Sequence, residues 1–206
     1  MSSEGIEAYM TNASKMELLL HEHGGTVSTK EANAAGFSNE SLRLLVSSGL
    51  IERVSHGVYI SPEAFLDNML VLQKRLSKVI FSHETALFLH DLTDRDPIYY
   101  SVTVPTGYEV KRLKEEGIHV YYIKKELHSA GLSEMTTSFG NKVITYNIER
   151  TICDCIRSRK QMDVAIVADA LKRYVKRSDK DLNVLMSYAE HFRIKKIIRN
   201  YLEVLL

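Results

Sequence analysis

The sequence predicts an α+β fold in two parts, and three observations carry that reading. Three short helical segments, each with its own start and stop signal, open the chain and lead into two small β runs around His56-Gly57. The middle of the chain mixes β-branched and aromatic runs with helical patterns, in no regular strand-helix alternation, which argues against a βαβ series. The last forty-odd residues are helical by periodicity, with apolar positions at i, i+3 and i+4.

The first helix is expected over "TNASKMELLLHEH", Thr11 to His23, with Met16, Leu19 and Leu20 on one face and Gly24-Gly25 as the stop. Ser28 reads as the N-cap of a second, "TKEANAAG", ending at Gly36. Ser38 caps the third, which buries Leu42, Leu45 and Val46 and closes at Gly49. The runs "LIERV" and "GVYIS" then pair as a hairpin, with Gly57 supplying the positive φ of a tight turn and Pro62 ending the second strand. Helices this short, joined by brief turns and followed by a hairpin, predict a winged helix-turn-helix over residues 1–72.

Such a fold lays its third helix in the DNA major groove with the hairpin beside it. The expected contacts on the helix are Ser38, Asn39, Ser41, Arg43 and Ser47, with Glu40 also outward. Arg43 suits guanine O6/N7 and Asn39 suits adenine. On the wing, Arg53, Ser55 and His56 reach phosphates or a minor-groove edge. Bulk charge runs the other way: residues 1–72 hold four Lys/Arg against nine Asp/Glu, and residues 73–206 hold twenty-three against seventeen. A winged helix also serves as a plain protein-interaction module, so local cations must carry any phosphate contact.

Residues 73–206 are expected to form an α+β domain with a small mixed sheet and C-terminal helices. "DNMLVLQKRLSKVIFS" bridges into it without a Pro/Gly/Ser linker. Ser82 caps a helix in "SHETALFLHDL"; "DPIYYSVTVP" and "IHVYYIKK" are strands; "SEMTTSFGNKVITYN" is a hairpin around Gly140-Asn141; Asn147 caps "IERTICDCIRS". Helices follow at 163–177, about 181–192, and 192–205.

Over this order of pieces the chain resembles the AbiEi-type antitoxins of the AbiE abortive-infection systems. The resemblance rests on the wing "RVSHGVYI", then "FSHETALFLHDLTDRDPIYYSVTVP", "HVYYIKK", "KVITYNIERTICDCIRSRK" and "VADALKRYV". It implies a DNA-binding domain that represses its own operon at repeated or inverted double-stranded sites. It also implies a second domain that neutralises a nucleotidyltransferase-like toxin without a stable complex, in phage defence. A second copy on the DNA stays open, and so does another reading: a winged-helix regulator with a ligand-sensing second domain and no toxin.

The residues that could carry chemistry promise little of it. His83 and His90 stand two helical turns apart, too far to share a zinc without further ligands, and suit core or capping roles. Cys153 and Cys155, at i and i+2, read as buried thiols rather than a disulfide framework. Glu109-Val110-Lys111, downstream of Asp96, has the acidic-x-Lys form of a nuclease core, but it follows Pro105-Thr106-Gly107 and belongs to a turn. With no glycine phosphate loop and no Ser/His/Asp spacing, the chain is expected to be non-enzymatic, with no cofactor or metal. No apolar run reaches the ~18–20 residues of a membrane span, and the start "MSSEGIEAYMTNASK" lacks a secretory pattern, so a cytoplasmic protein is expected.

The stronger pattern is basic. Lys172, Arg173, Lys176 and Arg177 share one side of a helical wheel, opposite Val167, Leu171 and Tyr174. Lys195, Lys196 and Arg199 repeat the design on the last helix. Apart from Glu203 near Arg199, acidic i±4 lacing is not expected to occupy them, which favours a nucleic-acid contact over a merely solvated face.

Overall fold

The computed structural model describes residues 11–205. The N-terminal stretch expected to lack a secretory pattern lies, up to residue 10, outside the described residues. The chain divides into two compact units, residues 1–77 with 137–141, and residues 78–136 with 142–206. The expected division at residue 72 falls inside a helix, Asn68–Arg75.

In the first unit, helices α1 (Asn12–Glu22), α2 (Thr29–Ala34) and α3 (Asn39–Ser47) take the expected positions. Each begins at a side chain that satisfies an otherwise orphaned backbone N–H. Thr11 accepts from Ser14, Ser28 from Glu31 and Ser38 from Ser41. Ser28 and Glu31 form a reciprocal capping box. Met16, Leu20, Val27, Ala32, Leu42 and Leu45 pack together as the core.

Strands β2 (Glu52–Ser55) and β3 (Val58–Ile60) pair antiparallel, with an irregularity between Arg53 and Ser55. Gly57 turns the chain at φ 69°, the left-handed value the sequence demanded. A strand that the sequence pattern does not predict, β1 (Thr26–Ser28), pairs with the other side of β3, giving the order β1-β3-β2. Helix α4 (Asn68–Arg75) packs on this sheet. Its N-cap, Asp67, is buried and accepts from Met69 and Leu70 through Oδ1, and from Thr137 and Asn141 through Oδ2.

The second unit holds a five-stranded mixed sheet and the remaining helices. Its strands are β4 (Ile80–Phe81), β5 (Ser101–Pro105), β6 (His119–Ile123), β7 (Leu132–Thr136) and β8 (Lys142–Tyr146), in the order β6-β5-β4-β8-β7. The pairs β5–β6 and β4–β8 are parallel, β4–β5 and β7–β8 antiparallel. Strand β5 is shorter than expected: Asp96 to Tyr100 lie outside it, and only the fully buried SVTVP run is paired.

Between the strands lie α5 (His83–Leu89), α6 (Lys111–Glu115) and α7 (Lys125–His128). After the sheet come α8 (Ile148–Arg157), α9 (Val164–Lys176), α10 (Leu182–His191) and α11 (Lys195–Leu205). Helix α8 is buried along most of its length and forms the centre of the helical core. Arg150 on α8 is fully buried beside Asp154, 2.8 Å away, and between the rings of Tyr146 and Phe192. It also donates to the carbonyls of Leu127 and Ala130, so its charge is spread over many partners.

One expected cap is absent. Ser82 stands at the N-cap position of α5 but makes no cap hydrogen bond. Its hydroxyl is taken by Thr103, which donates to it at 2.9 Å, and by the His83 ring.

Candidate nucleic-acid interface

The outward face of α3 is set by what the core takes. Burying Leu42 and Leu45 leaves Asn39, Glu40, Arg43, Leu44 and Ser47 toward solvent. The Arg43 side chain is 82% exposed and lies 3.5 Å from Glu40, an open pair that a phosphate or a base can displace at little cost. Ser47 turns its hydroxyl back onto the Arg43 carbonyl at 2.9 Å. Ser38 and Ser41 bond to each other, Oγ to Oγ at 2.9 Å, so both hydroxyls serve the helix start first. Asn39, the next residue in, is exposed.

Leu44 does not figure among the contacts expected from the sequence. It is 64% exposed on a helix whose other leucines are buried, an apolar group suited to a thymine methyl. Its signal was in the periodicity, since Leu42 and Leu45 fix the core side and put Leu44 off it.

The hairpin brings Arg53, Ser55 and His56 together. Arg53 donates through Nε to the Ser55 carbonyl at 3.4 Å, and its NH2 lies 3.2 Å from His56 Nδ1. Arg53 and His56 are exposed and Ser55 is half-buried. The guanidinium is thus steadied by the turn itself, so an interaction made there is partly pre-ordered.

Residues 14–62, which contain all of α2, α3 and the hairpin, match the family model described as "Transcriptional regulator, AbiEi antitoxin". The match makes residues 14–62, about a quarter of the chain, similar to an AbiEi antitoxin. The AbiEi match ends at Pro62, before α4. In fold, the chain is similar to the crystal structure of the RV2827C protein from Mycobacterium tuberculosis. The identity is 14% and the TM-score 0.59, over 86% of this chain and 71% of that one. No curated protein matches significantly.

In the second unit the basic faces differ from expectation. Arg173 is paired with Asp169, four residues earlier, at 2.9 Å, and bonds Asp94 through both NH1 and NH2. Arg177 holds Asp179 in a two-pronged interaction at 2.8 Å and donates to the His90 carbonyl. Lys195 bonds Glu190 at 3.0 Å. Arg173, Arg177 and Lys195 are therefore ion-paired, and the expectation of unlaced faces fails for them. Asp94 and Asp179 lie outside α9, where no helical wheel could find them; Asp169, at i−4, could have been found. Lys172, Lys176, Lys196 and Arg199 are exposed and carry no ion pair among the described residues.

His83, His90 and both cysteines sit in the core of the second unit. His83 is fully buried, stacked on Tyr121 with centroids 3.3 Å apart, and bonded to Ser82 and Ser158. Burial, then the charges of Arg157 and Arg150, hold its pKa well below the usual value. His90 bonds the Tyr146 carbonyl at 2.6 Å. Both cysteines are buried and free, and burial pushes Cys153 up to about 12, so neither is a reactive thiolate. Glu109 caps the peptide N–H of Lys111 just before α6, off any strand. No described helix is long and apolar enough to cross a membrane.

Proposed function

We propose that this protein is a cytoplasmic, non-enzymatic repressor-antitoxin, and that α1–α3 with the β2–β3 hairpin act as a winged helix-turn-helix on its own operator. The observation that carries the reading is one surface feature. The exposed face of α3, with Arg43, Asn39 and Leu44, belongs to the same small unit as a hairpin whose turn steadies Arg53 beside His56. In this reading α3 enters the major groove, Arg43 takes a guanine, and Arg53 and His56 hold the backbone alongside. The second unit neutralises a nucleotidyltransferase-like toxin. Lys172, Lys176, Lys196 and Arg199, which carry no ion pair among the described residues, supply phosphate contacts that an acidic first unit cannot supply alone.

The test is a mobility-shift titration of the full-length protein on the region upstream of its gene. Arg43→Ala costs about 1–3 kcal/mol, concentrated at one base position, as removal of a bidentate guanine ligand does. Arg53→Ala weakens all sequences alike, because a phosphate contact carries no base information. Unchanged operator affinity and base preference in Arg43→Ala would sink the placement of α3.

A further inference from the structure

Strand β6 ends the sheet, and its open edge carries a pocket that DNA binding leaves unused. His119 donates its backbone N–H to the Tyr100 carbonyl at 2.9 Å, and the Ile123 carbonyl accepts from Thr106 at 2.8 Å. Successive peptide groups point to opposite sides of a strand, so those of Val120 and Tyr122 turn toward the free edge. That edge offers N–H donors and carbonyl acceptors side by side. A cavity of about 550 Å³ lies against the first half of this strand, lined among others by Tyr99, Lys114, His119, Val120, Tyr121 and Gln161. Its volume falls within the roughly 300–1,000 Å³ of small-molecule sites.

The walls are aromatic and cationic at once. Tyr99 is 54% exposed, and its ring lies 5.6 Å from that of His119 at a tilt of 37°. Gly117, at φ 78°, lets that ring lie against the chain, for a Cβ there would meet Tyr99 at 3.2 Å. Tyr121 is held rigid by its stack on His83. Lys114 places its ammonium 5.9 Å from the Tyr122 ring. Glu115 and Glu116 follow Lys114 directly, so the pocket is no general anion sink. A ligand that fits all of this has a flat face for the rings, a hydrogen-bonding edge for the Val120 peptide groups, and a single anionic group for Lys114.

We propose that this pocket binds a nucleotide, base first, either free or as one unit of a single strand. A base inside a duplex has its edge already paired and its faces stacked, so operator DNA does not compete for the site.

The experiment is an aromatic-region NMR titration of the full-length protein with AMP, CMP, GMP and UMP in turn, and with a mixed-sequence single-stranded RNA hexamer. Saturable shifts are expected at Tyr99 and His119 with at least one probe, and none at Tyr201, which lies on α11 away from the pocket. Saturation by a mononucleotide assigns a free ligand, and saturation by the hexamer alone assigns a strand. Tyr99→Ala weakens binding about tenfold or more, as removal of a stacking ring does, while Tyr99→Phe retains it. Lys114→Gln weakens a nucleotide several-fold but leaves the matching nucleoside unaffected. Both side chains are exposed, and an unchanged thermal melt shows that the variants fold. No saturable shift at Tyr99 or His119 at millimolar concentrations, shifts confined to α9 and α11, or full affinity in Tyr99→Ala would each overturn the proposal.

Discussion

His83 holds a left-handed backbone, φ 50°, that β-carbon sterics disfavour for any residue but glycine. The surroundings enforce it: its ring is stacked on Tyr121 and bonded at both nitrogens. The pKa of His83 lies well below its ordinary 6.5, through burial first and then Arg157 and Arg150, and His90 is also lowered, again by burial first. The unfolded chain, with ordinary histidines, binds protons below pH 6.5 that the native protein refuses. Stability from these residues is therefore present above about pH 6.5 and is lost as the pH drops below it, more steeply through His83 than through His90. Urea melts at pH 7.5, 6.5 and 5.5 should show this slope. In His83→Asn, which tolerates the same backbone, the slope should shrink by about one group's share; an undiminished slope would remove His83 from the account.

At the scale of elements, the basic helices divide into cations that hold the fold and cations that carry no ion pair among the described residues. Neutralising Lys172, Lys176, Lys196 and Arg199 together should lower affinity for any DNA. The slope of log affinity against log salt should flatten by about 0.9 for each phosphate that is no longer neutralised. Neutralising Arg173, Arg177 and Lys195 should instead weaken the ties of α9 to Asp94 and of α10 to α11, and lower the melting temperature more than the salt slope. A salt slope left unchanged in the first set would mean that none of Lys172, Lys176, Lys196 and Arg199 meets phosphate. The same contrast shows what the sequence could carry. Helix starts were legible because Ser28, Ser38 and Asn147 act on backbone three residues away, and the structure has each of those bonds. Strands β1 and β4, of three and two residues, are too short to hold a period, and they exist through partners far along the chain. The Arg173–Asp94 pair spans 79 positions, beyond any local pattern. Of the candidate site, the face of α3 and the turn at His56 were legible because both are local. The edge pocket was not, since its rings come from segments that only the sheet brings together.

For the whole molecule, the proposed division of labour is testable by genetics. Arg43→Ala with Arg53→Ala removes exposed groups that contribute little to the core, so the full-length double variant should fold. It should derepress the operon while cells still survive the toxin expressed from a separate constitutive promoter. A folded double variant that fails to rescue growth would mean that neutralisation runs through DNA binding, and the two activities would be one.

The carboxylate of Asp67 adds an element of timing. It is 1% exposed, and two of its donors, Thr137 and Asn141, are encoded about 60 residues after α4 ends. At the roughly 5–20 residues per second of protein synthesis, the ribosome needs about 3–12 seconds to cover that stretch. Until then the Asp67 side chain lacks two of its four hydrogen bonds, and a polar group buried without its partners costs stability. The unit proposed to read DNA thus completes the Asp67 hydrogen bonds only after most of the second sheet has been made. In Thr137→Ala one of these bonds is lost for good: the finished protein should lose operator binding at a lower temperature than the parent, although residue 137 lies in neither α3 nor the hairpin. An operator-binding melt unshifted by that substitution would leave the Asp67 anchor without consequence for the DNA-reading face.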